Sequence, residues 1–442
     1  MWMRIKERNE NSYINHTEFD ITMTENFTHI WYCIIAIMEM EMVHVSEILS
    51  GAGWKPFETR PIGPLGLIAM PGCEALGERM NKYLKDWREG IGEQDEDLYT
   101  FPGYNLDTFL LSIKCPRFGT GEGKGLLNQS VRGYDIYIIS DVTAHQIRYK
   151  MYGESVPMSP DDHYADLKRV IAAIGGKARR ITVIMPFLYE SRQHRRSSRE
   201  SMECALMLQE LSSMGVENII TFDAHDPRVQ NAIPLTGFEN FVPTYQMMKS
   251  LCRKVKDLEI DKQHMMIVSP DEGAITRNIY YSTVLGLDLG MFYKRRDYSK
   301  VVDGRNKIIA HEYMGDSVEG KDIIVADDII STGDSVLDLL RELKRRNARR
   351  IYVAATFCFF TNGVEAFNEA YESGMLAGVL GTNLNYLSPE VRNAPWFIEV
   401  DMSKYMAYIV ATLNHDHSLD ALISPLNRIK NLIEKYKAKE NV

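Results

Sequence analysis

The chain has 442 residues, 45% of them hydrophobic and 25% charged, and a formal net charge of −9. Such a composition fits a globular protein with length for two or three domains, and the acidic balance excludes a general binder of nucleic acid or of anionic membrane surfaces. The six cysteines, at 33, 73, 115, 204, 252 and 358, have no CxxC spacing, which argues for free thiols in a reducing, cytoplasmic setting over a disulfide frame or a zinc site.

The first notable stretch is "IWYCIIAIMEMEMV". Its eight-residue apolar run, Ile30 to Ile37, is broken by Glu39 and Glu41 and falls short of the roughly 20 residues of a membrane span. A signal peptide needs a basic start directly before its apolar core, and "ENSYINHTEFDITMTEN" intervenes. Residues 1–60 are therefore expected to form an extension of unknown role, without catalytic residues.

Two later stretches have counterparts further on. "GYDIYIISDV" (133–142) matches "GKDIIVADDI" (320–329), and "KARRITVIMPF" (177–187) matches "NARRIYVAATF" (347–357). Each unit reads as apolar strand, turn, helix, apolar strand. Short Ile- and Val-rich runs alternating with helices predict parallel sheets in an α/β fold, and two matches in the same order predict two similar halves related by duplication. The first half is 17 residues longer. The extra material is expected between Thr143 and Pro160, where "RYKMYGESVPMSPDD" reads as a loop.

In the second half, "IIVADDIISTGDSV" (323–336) leads from a strand into Asp327 and Asp328, then a small-residue turn, then a helix. Ligands of open α/β sheets bind beyond the carboxyl ends of the strands. Free N–H groups and the helix dipole favour a phosphate at the turn from Ser331 to Ser335. Thr332 and Ser335 can add hydroxyl donors, and Gly333 lets backbone approach a ligand closely. Two adjacent carboxylates repel phosphate, so they should face hydroxyls or a cation. A sugar phosphate meets both demands. A capped helix after a strand, with Asp and Ser as turn formers, is the plain alternative.

"VADDIISTGDS" resembles the phosphoribosyl-binding loop of type I phosphoribosyltransferases and ribose-phosphate pyrophosphokinases. Other stretches resemble the latter family alone: "RFGTGEGKGLLNQSVRGYDIYII" (117–139), "ITVIMPFLYESRQHRR" (181–196), "TFDAHD" (221–226), "VSPDEGA" (268–274), "YKRRD" (293–297), "TNLN" (382–385) and "NHDHSLDALI" (414–423). The resemblance runs from about Leu67 to about Ile423. It implies two phosphoribosyltransferase-like α/β domains, near 61–245 and 246–400, each a mainly parallel sheet flanked by helices. The active site would lie between them, and residues 401–442 would return to the first domain.

The implied reaction moves a pyrophosphoryl group from ATP to the anomeric hydroxyl of ribose 5-phosphate, giving 5-phosphoribosyl 1-pyrophosphate and AMP. Lys294 and Arg296 match the family's catalytic basic pair, and strand alternation would put both on one face. Arg192 joins them, and with Gln193 and Arg196 it would contact ATP. Arg195, Arg196 and Arg199 would lie in the loop that closes over the site. Phe118 and Glu122 match adenine contacts, with Thr120 where the family has Asp. Asp327, Asp328, Ser331, Thr332, Gly333 and Ser335 would hold ribose 5-phosphate; Ser331 replaces a common Asp, and Asp334 stands where Gly is usual. Phe357 and Cys358 stand in place of a His-Gly pair. His225 and Asp271 would help hold Mg²⁺ with ATP, and Asp223 would orient His225 or bind a second cation through water. The resemblance also implies a homo-oligomer, dimer to hexamer, with neither nucleic acid nor membrane as partner. Two alternatives remain: a phosphoribosyltransferase, which needs only the 327–335 loop, and a non-catalytic regulatory homologue, which Thr120 and Asp334 favour.

Overall fold

The computed structural model describes residues 59–92, 96–196, 198–302 and 305–440, without the side chains of 91–92, 294–302, 305–311 and 421. The expected extension, up to residue 58, lies outside the described residues. The strands used below are β1 (Leu65–Ala69), β2 (Asp135–Ile139), β3 (Arg148–Met151), β4 (Glu154–Pro157), β5 (Arg180–Ile184), β6 (Asn218–Phe222), β7 (Gly237–Phe241), β8 (Met265–Ser269), β9 (Asp288–Val302), β10 (Arg305–Met314), β11 (Asp322–Ile330), β12 (Ile351–Cys358), β13 (Gly378–Thr382) and β14 (Phe397–Val400). The helices used below are α1 (Glu74–Gly92), α2 (Pro160–Ile174), α3 (Glu203–Ser213), α4 (Thr244–Lys254), α5 (Ile275–Leu285), α6 (Asp334–Arg345), α7 (Glu365–Glu372), α8 (Ser403–Asn414) and α9 (Leu426–Lys437).

One sheet runs β1-β2-β5-β6-β7, all parallel. The other runs β10-β9-β8-β11-β12-β13-β14, parallel except where β9 and β10 pair as an antiparallel hairpin. Remove that hairpin and the strands β8-β11-β12-β13-β14 repeat the order and sense of the first sheet. The central strands are buried along their length, as the Ile- and Val-rich runs require when a sheet is covered on both faces.

The two sequence matches fall on β2 with β11 and on β5 with β12, and the structure gives a physical reason for them. Asp135 opens β2 beside Arg180, which opens β5. The buried carboxylate accepts from Arg180 Nε at 2.8 Å and Nη2 at 2.9 Å. In the second sheet Asp322, also fully buried, accepts from Arg350 Nη2 at 2.6 Å and Arg349 Nη2 at 2.7 Å. The preceding Gly133 and Gly320 adopt φ of 80° and 71°, and their N–H groups donate to Lys177 O and Asn347 O at 3.0 and 2.9 Å. The Gly-x-Asp-Ile and Ala-Arg-Arg-Ile segments are thus the two sides of one joint, made twice. A buried carboxylate without such partners would cost several kcal/mol.

The segment read as a loop between Thr143 and Pro160 is instead the antiparallel hairpin β3–β4. Tyr152 and Gly153, at φ 49° and 86°, form its two-residue turn. That left-handed geometry matches the twist of paired strands, and the short alternation "RYKM" and "ESVP" was too brief to reveal it. The hairpin leads into α2, which Ser159 caps in reciprocal bonds with Asp162.

At the far end of the chain α8 packs on α1, with Trp87 and Tyr408 stacked 4.2 Å apart. Asn414 Nδ2 donates to Asp135 Oδ2 at 2.9 Å, and Arg180 Nη2 donates to Leu413 O at 2.6 Å. Helix α9 packs against α4 and α5. Among the described residues no helix is long and apolar enough to cross a membrane.

Candidate active site

Asp223 and His225, Asp271, and the turn from Ser331 to Ser335 follow the carboxyl ends of strands from both sheets. Strand β11 does not stop at the aspartates. It pairs with β12 through Ile330, so Asp327 and Asp328 sit inside the strand rather than at its end. On its other side β8 pairs only as far as Ile324. There the buried Asn278 of α5 takes over: its Nδ2 donates to Ala326 O at 2.7 Å, and its Oδ1 accepts from Ala326 N at 3.1 Å. A side-chain amide thus replaces a neighbouring strand and satisfies backbone groups that burial would otherwise penalise.

Next to Asn278, Arg277 holds the acidic groups together. Its guanidinium donates to Asp223 Oδ1 at 2.7 Å and lies 3.7 Å from Asp327 Oδ1. Asp223, just past β6 and at φ 45°, also accepts from Thr356 Oγ1 at 2.6 Å. Its carboxylate is thereby committed to Arg277 and Thr356 and does not touch His225. Asp328 takes that role, with Oδ2 2.7 Å from His225 Nδ1. The hydrogen bond to Asp328 raises the His225 pKa above its ordinary value.

Asp327 and Asp328 are held in different states. Burial and the adjacent Asp328 carboxylate, with Asp271 nearby, push Asp327 well above the usual range. Burial also opposes ionisation of Asp328, but the bond from His225 and the charge of Arg277 bring it down to about 2. Two neighbouring carboxylates with unequal partners titrate apart in this way. Asp271 closes the turn that leads into α5, its Oδ1 accepting from Gly273 N at 3.0 Å and Ala274 N at 3.2 Å.

Beyond β11 the chain turns through Ser331, Thr332 and Gly333 into α6. Gly333 has φ 91°, and a methyl group there would overlap the Phe367 ring of α7. Both constraints demand glycine. Thr332, Asp334 and Ser335 are exposed at the helix start. The Asp334 side chain therefore lies in solvent at the mouth of the turn.

The arginine segment approaches from the first sheet. Arg192 acts electrostatically on His225, and the rings of His194 and His225 are 5.3 Å apart. Gln193 faces a polar cavity with Asp161, Tyr189, Glu190 and Glu203. Arg196 is exposed. Lys294 and Arg296 lie on β9, beyond Met291, the partner of Ser269; this is the end of β8 that precedes Asp271. Their side chains lie outside the described residues, and a register shift between Arg295 and Arg296 interrupts the simple alternation expected there.

Phe118 and Glu122 stand apart from this cluster. They close a small loop in which Phe118 N donates to Glu122 O at 2.8 Å and Thr120 Oγ1 donates to Glu122 Oε2 at 2.9 Å. Its neighbours are the β3–β4 hairpin, through Tyr152 N donating to Gly119 O at 2.8 Å, and α2, through the Arg117–Asp166 ion pair. Phe118 is exposed. Among the described residues no three His, Cys, Asp or Glu side chains are grouped to hold a metal by themselves.

Arg277 and Asn278 were not recognised in the sequence. Their only local signal is a charged and an amide residue side by side in the otherwise uncharged helix "ITRNIYYSTVL".

Residues 66–215 match the model of the N-terminal domain of ribose phosphate pyrophosphokinase, and residues 245–371 match that of the phosphoribosyl transferase domain. The ribose-phosphate pyrophosphokinase of Pasteurella multocida is 29% identical over 315 residues, 70% of this chain and 90% of that one. Its counterpart in Vibrio cholerae is 28% identical over 312 residues, again 70% and 90%. The crystal structure of phosphoribosylpyrophosphate synthetase from Mycobacterium smegmatis has the same fold, with a TM-score of 0.60 at 20% identity over 79% of this chain and 98% of that one.

Proposed function

Because the chain belongs to the ribose-phosphate pyrophosphokinase family, we propose that it transfers the terminal diphosphoryl group of ATP to ribose 5-phosphate. The observation that carries this reading is the union of the Asp327–Asp328 pair with the glycine turn at the start of α6. The turn offers helix N–H groups and hydroxyls to the 5-phosphate. The aspartates offer acceptors to the ribose hydroxyls, held in place by His225 and Arg277. The anomeric hydroxyl attacks the β-phosphorus of ATP, the bond to the bridging α,β-oxygen breaks, and AMP leaves with that oxygen.

Charge on the transferred phosphates calls for fixed cations. Lys294, Arg296 and Arg192 are assigned that role, with Gln193 and Arg196 on the nucleotide and the Phe118–Glu122 loop on adenine. Mg²⁺ bound with ATP supplies further charge neutralisation. The donor set suits a partial shell: Asp271 and His225 would hold the ion, His225 being fixed through Nδ1 by Asp328. Magnesium retains waters and phosphate oxygens for the rest. Asp223 is assigned to positioning Arg277. A cytoplasmic homo-oligomer, with domains dividing near residue 245, completes the reading.

The test is AMP formation from ATP and ribose 5-phosphate with Mg²⁺, beside the variant Lys294→Ala. Turnover by the native chain and a loss of at least about a hundredfold in the folded variant are expected, the scale of removing a preorganised charge donor. No AMP from the native chain leaves the regulatory reading, which the bond from Thr120 to Glu122 favours. Near-normal turnover in the variant removes the assignment of Lys294.

A further inference from the structure

Strands β8 and β11 separate just before the aspartate pair. Their pairing ends at Ile267 and Ile324. Beyond it Ala326 is fully buried, and Asp327 follows directly. Had β8 run on beside β11, as β12 does to Ile330, the sheet itself would satisfy Ala326. Instead β8 ends at Ser269. Buried backbone groups left in this way cost free energy unless a side chain meets them. Asn278, with no exposed surface, meets both: its Oδ1 accepts from Ala326 N and its Nδ2 donates to Ala326 O. A primary amide presents a donor and an acceptor side by side, the pair that a peptide group offers. An ionised carboxylate has no donor.

The same amide reaches the other strand. Its Nδ2 donates to Ala274 O at 2.8 Å and lies 3.3 Å from Ser269 Oγ. The Ser269 hydroxyl in turn donates to Asp271 O at 2.8 Å. One enclosed side chain therefore connects the strand that carries Asp327 and Asp328 with the turn that carries Asp271. Arg277, its neighbour in the chain, acts on the carboxylates of Asp223 and Asp327, whereas Asn278 acts on backbone.

We propose that Asn278 is a positioning residue for sugar binding: it fixes the backbone at Ala326 so that Asp327 and Asp328 hold one place relative to Asp271. The inference rests on the assignment of the two aspartates to the ribose hydroxyls. Asn278 is fully enclosed and acts through the aspartates, without reaching a substrate. Loosening the backbone at Ala326 displaces the acceptors of the sugar, and a displacement on the order of 1 Å lowers productive engagement by up to about a hundredfold.

Asn278→Ser tests this. A serine hydroxyl can bond back to Ala274 O within the helix, so the fold survives while the reach to Ala326 is lost. Asn278→Ala, which vacates a space ringed by polar groups and suited to a water, is the second variant. Amide hydrogen exchange reads the geometry without reference to activity. In both variants the Ala326 amide should exchange about tenfold faster or more, the scale of one lost hydrogen bond, while that of Ile323, bonded to Arg350 O, keeps its native rate. By equilibrium dialysis, affinity for ribose 5-phosphate should fall between about tenfold and a hundredfold, and affinity for ATP by less. In Asn278→Ser/Asp328→Asn the loss should be smaller than the product of the two single losses, because both changes act on one group. A native exchange rate at Ala326, equal losses for sugar and ATP, or fully additive losses overturn the proposal. A native chain that binds no ribose 5-phosphate overturns the functional reading and this inference with it; native and variant chains that bind it alike overturn this inference alone.

Discussion

Asp327 and Asp328 are adjacent and alike in type, and their surroundings move their pKa values in opposite directions. Against the opposition of burial, His225 and Arg277 lower the Asp328 pKa, whereas burial first and the Asp328 charge second raise that of Asp327. Linkage gives the pair a defined pH window. The His225 pKa is raised on folding, so its contribution to stability is complete below about pH 6.5, the ordinary imidazole value, and fades as pH rises through the folded value. The Asp328 pKa is depressed, so its contribution is present above about 4 and is lost as pH falls toward 2. Asp328→Asn should therefore lower the titration midpoint of His225, followed by proton NMR of the imidazole. An unshifted midpoint would mean that some other group sets it. The adjacency of the aspartates was legible in the sequence. Their inequality was not, since it arises from His225, 103 residues away, and from Arg277, which no local pattern ties to either carboxylate.

At the scale of elements, the fold reads well where one periodicity rules and poorly where a strand is short or a side chain stands in for backbone. Buried Ile- and Val-rich runs announced β2, β5, β11 and β12, and the repeated Asp–Arg joint made the duplication visible. The end of β11 was misjudged because its last residues pair only with β12, while Asn278 serves Ala326 on the other side. The β3–β4 hairpin was missed because each strand has only four residues. The turn into α6 is set by Gly333. Gly333→Ala would force a left-handed backbone on alanine, at about 1–3 kcal/mol, and would push the Phe367 ring from its place. The expected outcome is lower stability to urea and a rise in the KM for ribose 5-phosphate that exceeds any change for ATP. Equal changes for both substrates would show that the turn does not address the sugar phosphate.

Across the whole molecule, the two halves are joined where the carboxyl ends of their strands meet. Asp141 occupies in the first half the place of Asp328 in the second, by the match of "GYDIYIISDV" with "GKDIIVADDI". Its Oδ1 accepts from Thr143 and its Oδ2 accepts from Tyr386 N at 2.9 Å. One copy of the repeated position thus joins the halves while the other stands in the candidate site. The C-terminal segment completes the first sheet from below. A chain ending at Val400 would lack the partners that Asn414 and Leu413 give to Asp135 and Arg180. It should show no cooperative thermal transition by circular dichroism, whereas a sharp transition at the native temperature would show the first sheet to be self-sufficient. The same closure has a consequence for how the protein is made. Arg180 leaves the ribosome 233 residues ahead of Leu413. At the usual speed of synthesis that interval lasts roughly ten to fifty seconds. For that time the nascent first domain carries an unfinished polar core and an uncovered face of α1, so chaperones have their longest opportunity, and aggregation its greatest opening, before the last helices emerge.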